Sequence, residues 1–194
     1  MSEAEALGPN DDSHLGGNVI EGDPLTYAPL VWDYIISRFC IESVLDLGSG
    51  IGNASYYFFR KNLKVLAVEG LASNVVTSLY PSIQHDITKS PVNCRVDLVH
   101  CQEVVEHIDE RYLQNVLASL TTGKYILMTN ALPGQGGHHH VNEQSTEYWI
   151  EHLEKLGCRV LVEDSIRIRK LALQEGAIYL AKTGLILVNT KRVK

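Results

Sequence analysis

Missing from this sequence is any uninterrupted apolar run near the roughly 18 residues that a membrane-crossing helix needs, so no spanning segment is expected. The opening stretch MSEAEALGPNDD is acidic and polar, without the basic start and apolar middle of a secretory signal. Cysteine is sparse. The four residues Cys40, Cys94, Cys101 and Cys158 form no C-x-x-C pair and sit beside apolar neighbours. That pattern excludes an obvious zinc or disulfide framework and reads as reduced thiols of a cytoplasmic protein. Positive charge is the minor sign: 17 Lys and Arg against 23 Asp and Glu leave a net charge of −6. Broad nucleic-acid binding depends on many phosphate-neutralising cations and is disfavoured on that balance. No internal repeat, low-complexity tract or linker interrupts the chain.

What is present is an ordinary globular balance, 45% hydrophobic and 21% charged over 194 residues, which suits one sizeable core. Residues 1–13 read as a flexible polar tail and 14–194 as a single domain. Apolar periodicity predicts helices over 26–39, 53–61, 72–79, 110–120, 146–156 and 164–174. It predicts strands over 43–47, 63–68, 82–85, 96–101, 125–129, 159–163 and 184–190. The alternation predicts an α/β, Rossmann-like, doubly wound sheet of seven mostly parallel strands, with an antiparallel C-terminal edge strand.

The strongest motif is Leu45-Asp-Leu-Gly-Ser-Gly-Ile-Gly-Asn53, between a predicted strand and a predicted helix. Gly48, Gly50 and Gly52 allow a tight turn and close backbone approach by a ligand. The helix start adds free N–H groups. Such a loop can hold a dinucleotide pyrophosphate or the carboxylate end of another nucleotide-like cofactor. Asn53 stands where the dinucleotide fingerprint wants its third glycine, which argues against a nicotinamide oxidoreductase. Asp46 precedes the first glycine, and Glu69 ends the next strand, where an acid can bind ribose hydroxyls.

Asp46-x-Gly48-x-Gly50-x-Gly52 resembles motif I of class I S-adenosylmethionine (SAM)-dependent methyltransferases. The resemblance implies SAM as cofactor, with Ser49 inside the loop, Glu69 on the ribose and Asp86 near the adenine. It implies that Cys101, Gln102 and Glu103 lie beside the methionine portion. A narrower similarity, to small methyltransferases of mostly unassigned substrate, rests on His14-Leu-Gly-Gly-Asn18, Pro133-Gly-Gln-Gly-Gly137, His139-His-Val-Asn142 and Tyr148-Trp-Ile150.

Glu103, Glu106 and His107 follow the fourth strand, at the sheet end where open α/β folds bind ligands. Spaced three and four apart, they can share one side of a helical turn and suit Mg²⁺ or Mn²⁺. The spacing is similar to the metal site of small-RNA ribose 2′-O-methyltransferases and to the E-x-x-E-H of ubiquinone-pathway O-methyltransferases. The expected ligand set is Glu103, Glu106, His107 and one of His139 or His140, with His139 preferred. The competing reading makes one of His107, His139 and His140 a plain base oriented by Glu106. His138 belongs to the same run. His14 and Asn18 are candidates for a lid. His85 and His100, at or inside strands, read as core or wall. Trp149 reads as core, although Tyr148 and Trp149 are also candidates for an acceptor pocket.

The nitrogen-methylating Asn/Asp-Pro-Pro-Tyr signature of the family is absent, and Cys101-Gln-Glu-Val104 stands in its place. Oxygen is therefore the expected acceptor atom, on a sugar, a glycan or a small molecule. An RNA ribose hydroxyl is the rival, and a SAM-binding scaffold without catalysis is the alternative of another class. No membrane partner is expected, and the sequence leaves the oligomeric state open.

Overall fold

The computed structural model describes residues 13–15 and 22–193. The expected tail apart from Ser13, and Asn18 of the expected lid, lie outside the described residues. The first long helix, α1 (Pro29–Phe39), starts at a proline whose missing N–H costs nothing there. It ends at Cys40 in the left-handed conformation (φ 52°). Thr26, expected within this helix, instead belongs to a separate turn, Pro24–Thr26, capped by Asp23.

The order continues β1 (Ser43–Leu47), α2 (Asn53–Arg60), β2 (Lys64–Glu69), α3 (Ala72–Thr77), β3 (Ser82–Gln84) and β4 (Val96–Cys101). It closes with α4 (Leu113–Leu120), β5 (Gly123–Met128), α5 (Thr146–Lys155), β6 (Cys158–Val160), α6 (Val162–Glu175), α7 (Ile178–Thr183) and β7 (Leu185–Asn189). The seven strands stand in the order β3-β2-β1-β4-β5-β7-β6. All neighbours are parallel except β5–β7 and β6–β7, so this is the expected α/β, Rossmann-like sheet with antiparallel pairing at its C-terminal side.

Two boundaries differ from expectation for physical reasons. Strand β6 stops at Val160, because Glu163 and Asp164 place negative charge in the first turn of α6, where the helix dipole favours it. Helix α7 was not expected: six residues between Gly176 and Gly184 are too few for periodicity to show.

Strand alternation divides the core. Leu45, Leu47, Val99, Cys101, Ile126 and Met128 face the layer that includes α4 and α5. Val44, Leu98 and Leu127 face α1, α2, α6 and α7 on the other side. Asp46 and His100 occupy the second face by the same alternation and are partners in the β1–β4 register. The order reverses between β1 and β4, and the site opens at their carboxyl ends, the usual switch-point crevice. Behind the glycine loop, Phe58 anchors α2 with no exposed surface, packed against Trp32 at 5.4 Å between ring centroids. Phe58→Ala is expected to cost about 3–5 kcal/mol, read as a lower urea midpoint with an unchanged slope.

Candidate functional site

Three glycines shape the loop after β1, each for its own reason. Gly48 has φ +72°, and a Cβ there would lie 2.4 Å from Val104 Cγ2. Gly52 has φ +81°, and a Cβ would meet Ser78 Oγ at 2.5 Å. At Gly50 (φ +54°) a Cβ would meet nothing within 4 Å: it would stand in open space, where a ligand can approach. The Gly48 and Ser49 amides donate to the Val68 carbonyl at 2.9 and 3.0 Å, hooking the loop to the end of β2.

Glu69, at that end, is buried. It accepts from Gly50 N at 2.7 Å and Leu71 N at 2.9 Å. Burial raises its pKa against the pull of those amides. Asp86 accepts from Thr88 N and Oγ1, and its other oxygen lies 3.3 Å from His14 Nε2. Leu15, next to His14, packs on Gly70, so the Ser13–Leu15 turn covers this end.

The space between these elements is one cavity of about 450 Å³. Its wall includes Asp46, Gly48, Ser49, Gly50, Glu69, Asp86, Gln102 and Glu103 of the expected cofactor set, together with His107 and His140. Ser49 Oγ and both polar atoms of Gln102 are buried without partners in that wall. Buried orphan groups of this kind mark where a polar ligand completes the hydrogen bonding. Asp23 and Tyr179, not foreseen, also line it. Burial first, then the charge of Asp23, pushes the Tyr179 hydroxyl up to about 12. Among the described residues of the wall there are five carboxylates and six histidines but no Lys or Arg.

Several expected residues do not reach the cavity. Gly52 is spent on the helix start. Cys101 points to the opposite face of β4, fully buried, and burial raises its thiol pKa well above the ordinary value, so contact with the methionine portion is corrected. Glu106 is also fully buried and off the wall. Burial, then the charge of Glu103, holds its carboxyl well above the usual range. Tyr148 donates to Glu110 and Trp149 sits in the core, so neither lines the cavity.

The expected metal set of Glu103, Glu106, His107 and His139 also needs correction. Among the described residues no group of three His, Cys, Asp or Glu side chains is placed to hold a metal ion. Glu106 points inward, Glu103 is tied to Thr129 Oγ1 at 2.8 Å, and His139, at φ 48°, does not line the cavity. His107 meets His140 edge to face at 5.1 Å. Burial, then His140, lowers the His107 pKa to about 4.

The histidine loop is docked by main chain. Val141 N and Asn142 N donate to the Glu106 carbonyl at 3.0 and 3.1 Å, and Asn142 Nδ2 donates to Ile108 O. Glu143 accepts from Gly134 N, Gly136 N and His140 Nδ1, the last at 3.2 Å. Glu143 is thus the carboxylate that orients His140, a part expected of Glu106. Its signal was legible as an acid three residues after a histidine.

No family model and no curated protein matches the sequence. Solved structures do. A SAM-dependent methyltransferase from Archaeoglobus fulgidus is 16% identical with a TM-score of 0.60, over 87% of this chain and 95% of that one. The methyltransferase domain of bacterial CtHen1 is 18% identical with a TM-score of 0.54, over 68% and 85%. The [4+2]-cyclase SpnF is 13% identical with a TM-score of 0.55, over 82% and 78%. The chain therefore has the class I SAM-dependent methyltransferase fold, and at these identities the likeness concerns the fold alone.

Two outcomes follow from the geometry. Gly48→Ala lowers the melting temperature, and adding Val104→Ala recovers only part of the loss, since the left-handed backbone still costs about 1–2 kcal/mol. The folded pKa of His107, about 4, lies below its ordinary 6.5, so the unfolded chain binds the proton more tightly. The stability this residue contributes is present above about pH 6.5 and is lost as pH falls toward about 4. Melting curves from pH 8 to 5 therefore fall more steeply for wild type than for His107→Gln.

Proposed function

We propose that this protein is a SAM-dependent methyltransferase that methylates a hydroxyl oxygen on a small, uncharged acceptor such as a sugar, with His140 as general base. The carrying observation is the Glu143–His140 pair on the wall of the cavity that the glycine loop also lines. The open face of Gly50 and the unpartnered Ser49 and Gln102 groups fit a nucleotide-like cofactor with a polar tail. By that fit Glu69 faces the ribose and Asp86 the adenine. SAM supplies, when bound, a methyl group already activated on a sulfonium. The chain's own task is to align the acceptor and move one proton. Glu143 engages His140 Nδ1, leaving Nε2 to take the hydroxyl proton. Burial and the charge of Glu103 raise the Glu106 pKa, which works against a second negative charge beside Glu103.

A wall without Lys or Arg among its described residues supports a neutral acceptor over the phosphodiester of an RNA end. Reading the base as His140 alone leaves no part for Mg²⁺ or Mn²⁺.

The first test is a thermal-shift and calorimetry series with S-adenosylhomocysteine and NAD. A shift with S-adenosylhomocysteine and none with NAD is expected. No binding of S-adenosylhomocysteine overturns the reading. The second test follows radiolabelled methyl transfer from SAM to a panel of sugars, phenols and RNA. Label in RNA alone overturns the acceptor class, and binding with no transfer to any acceptor fits the non-catalytic scaffold. On an accepted sugar, His140→Ala lowers kcat by about 10²–10⁴-fold, with S-adenosylhomocysteine affinity within about threefold. Glu143→Gln acts in the same direction, and dialysis against EDTA leaves the rate unchanged.

A further inference from the structure

Asp46 and His100 are register partners on adjacent parallel strands, and both side chains point toward α1 and α2. Both Asp46 oxygens already accept a hydrogen bond within the protein. One oxygen accepts from Ser55 Oγ at 2.5 Å, the other from His100 Nδ1 at 2.7 Å. With the Nδ1 proton held there, Nε2 is the ring atom left free, and in the Nδ1–H tautomer it presents a lone pair. Trp32, on α1, stands edge-on to that ring at 5.8 Å. His100 Nε2 and Trp32 Nε1 are both buried with no hydrogen-bond partner, on side chains only 4% and 1% exposed. Both residues line the cavity beside the glycine loop.

The two orphans are complementary. The indole N–H can only donate, and the imidazole nitrogen, in this tautomer, can only accept. An α-amino acid zwitterion carries the matching pair, an acceptor carboxylate and a donor ammonium. The described residues of the wall hold no Lys or Arg to take the carboxylate. Resting on the SAM reading above, we propose that Trp32 Nε1 donates to the carboxylate, and His100 Nε2 accepts from the ammonium, of the cofactor's amino-acid end. Asp46 is the positioning residue. It acts through the His100 tautomer, whereas its place in the glycine motif alone points to a direct contact with the cofactor. The pair sets the specificity for a full amino-acid tail over a truncated nucleoside.

The test is calorimetry on the full chain with three ligands: S-adenosylhomocysteine, its deaminated α-keto analogue and 5′-methylthioadenosine, which lacks the amino-acid end. Trp32→Phe is expected to weaken S-adenosylhomocysteine about tenfold, leaving 5′-methylthioadenosine within about twofold. Asp46→Asn donates to Nδ1 and moves the imidazole proton to Nε2, which then opposes the ammonium. It weakens S-adenosylhomocysteine but not the deaminated analogue, a discrimination that a merely structural role does not produce. 5′-Methylthioadenosine binding reports that each variant is folded. Equal loss for all ligands in variants that keep a wild-type circular dichroism spectrum and cooperative melting, or wild-type S-adenosylhomocysteine affinity in both variants, overturns the proposal and leaves the SAM reading intact. A wild-type protein that binds none of the three overturns the SAM reading itself.

Discussion

The Val68 carbonyl receives two amide hydrogens, from Gly48 and Ser49, and the geometry of the whole cavity depends on that hook. It folds the chain back at the carboxyl end of β1. This turns Gly50 N toward Glu69 and starts α2 at Gly52. The hook exists only because residue 48 has no Cβ. Its backbone is left-handed, and Val104, from the segment after β4, fills the space a side chain would take. The same absence brings the β1 loop and the post-β4 segment into contact, and the post-β4 segment in turn carries the histidine loop on the Glu106 carbonyl. Cofactor end and acceptor end are thus coupled through a short run of main-chain contacts.

Buried carboxylates are handled in three different ways around this frame. Glu69 is paired with amides, Asp46 with a hydroxyl and an imidazole, and Glu106 with nothing. Burying an ionised carboxylate without partners is costly, so burial and the nearby charge of Glu103 both raise the Glu106 pKa and favour its neutral form. This is also why spacing that looks like a metal site on paper does not become one: a ligand must be ionised and must point at the ion.

The parts of this site legible in the sequence were those set by local backbone. The glycine loop declares itself through residues that must adopt positive φ, and the alternation of strands and helices declares the sheet. What escaped was set by register and by strand face. Asp46 and His100 are 54 positions apart, and nothing short of the β1–β4 pairing brings them together. Cys101 was misplaced because β4 is covered on both faces, so its sequence shows no contrast between the cavity side and the core side. Tyr179 was missed because its helix is too short to leave a pattern. Glu106 was chosen as the orienting acid by its nearness to His107. Loop docking gives that part to Glu143, which sits beside the histidine it holds.

Fold and activity part company in this family of shapes, since a [4+2]-cyclase shares the architecture with methyltransferases. The charge of the cavity wall bears on which ligands this chain can take. A cavity lined by carboxylates and imidazoles, with no Lys or Arg among its described residues, is matched to a ligand carrying net positive charge. SAM is such a ligand, with two positive groups against one carboxylate. An acceptor that brought its own phosphate would enter this field without a partner for it, whereas a sugar hydroxyl brings no charge. On the reading proposed above, proton removal falls to His140, the cavity-lining imidazole held by a carboxylate from its own loop. The loop that carries this imidazole is docked by the Val141 and Asn142 amides on the Glu106 carbonyl and by Asn142 Nδ2 on the Ile108 carbonyl, so its other side chains can differ between acceptors while the hook, the sheet and the cofactor end stay the same.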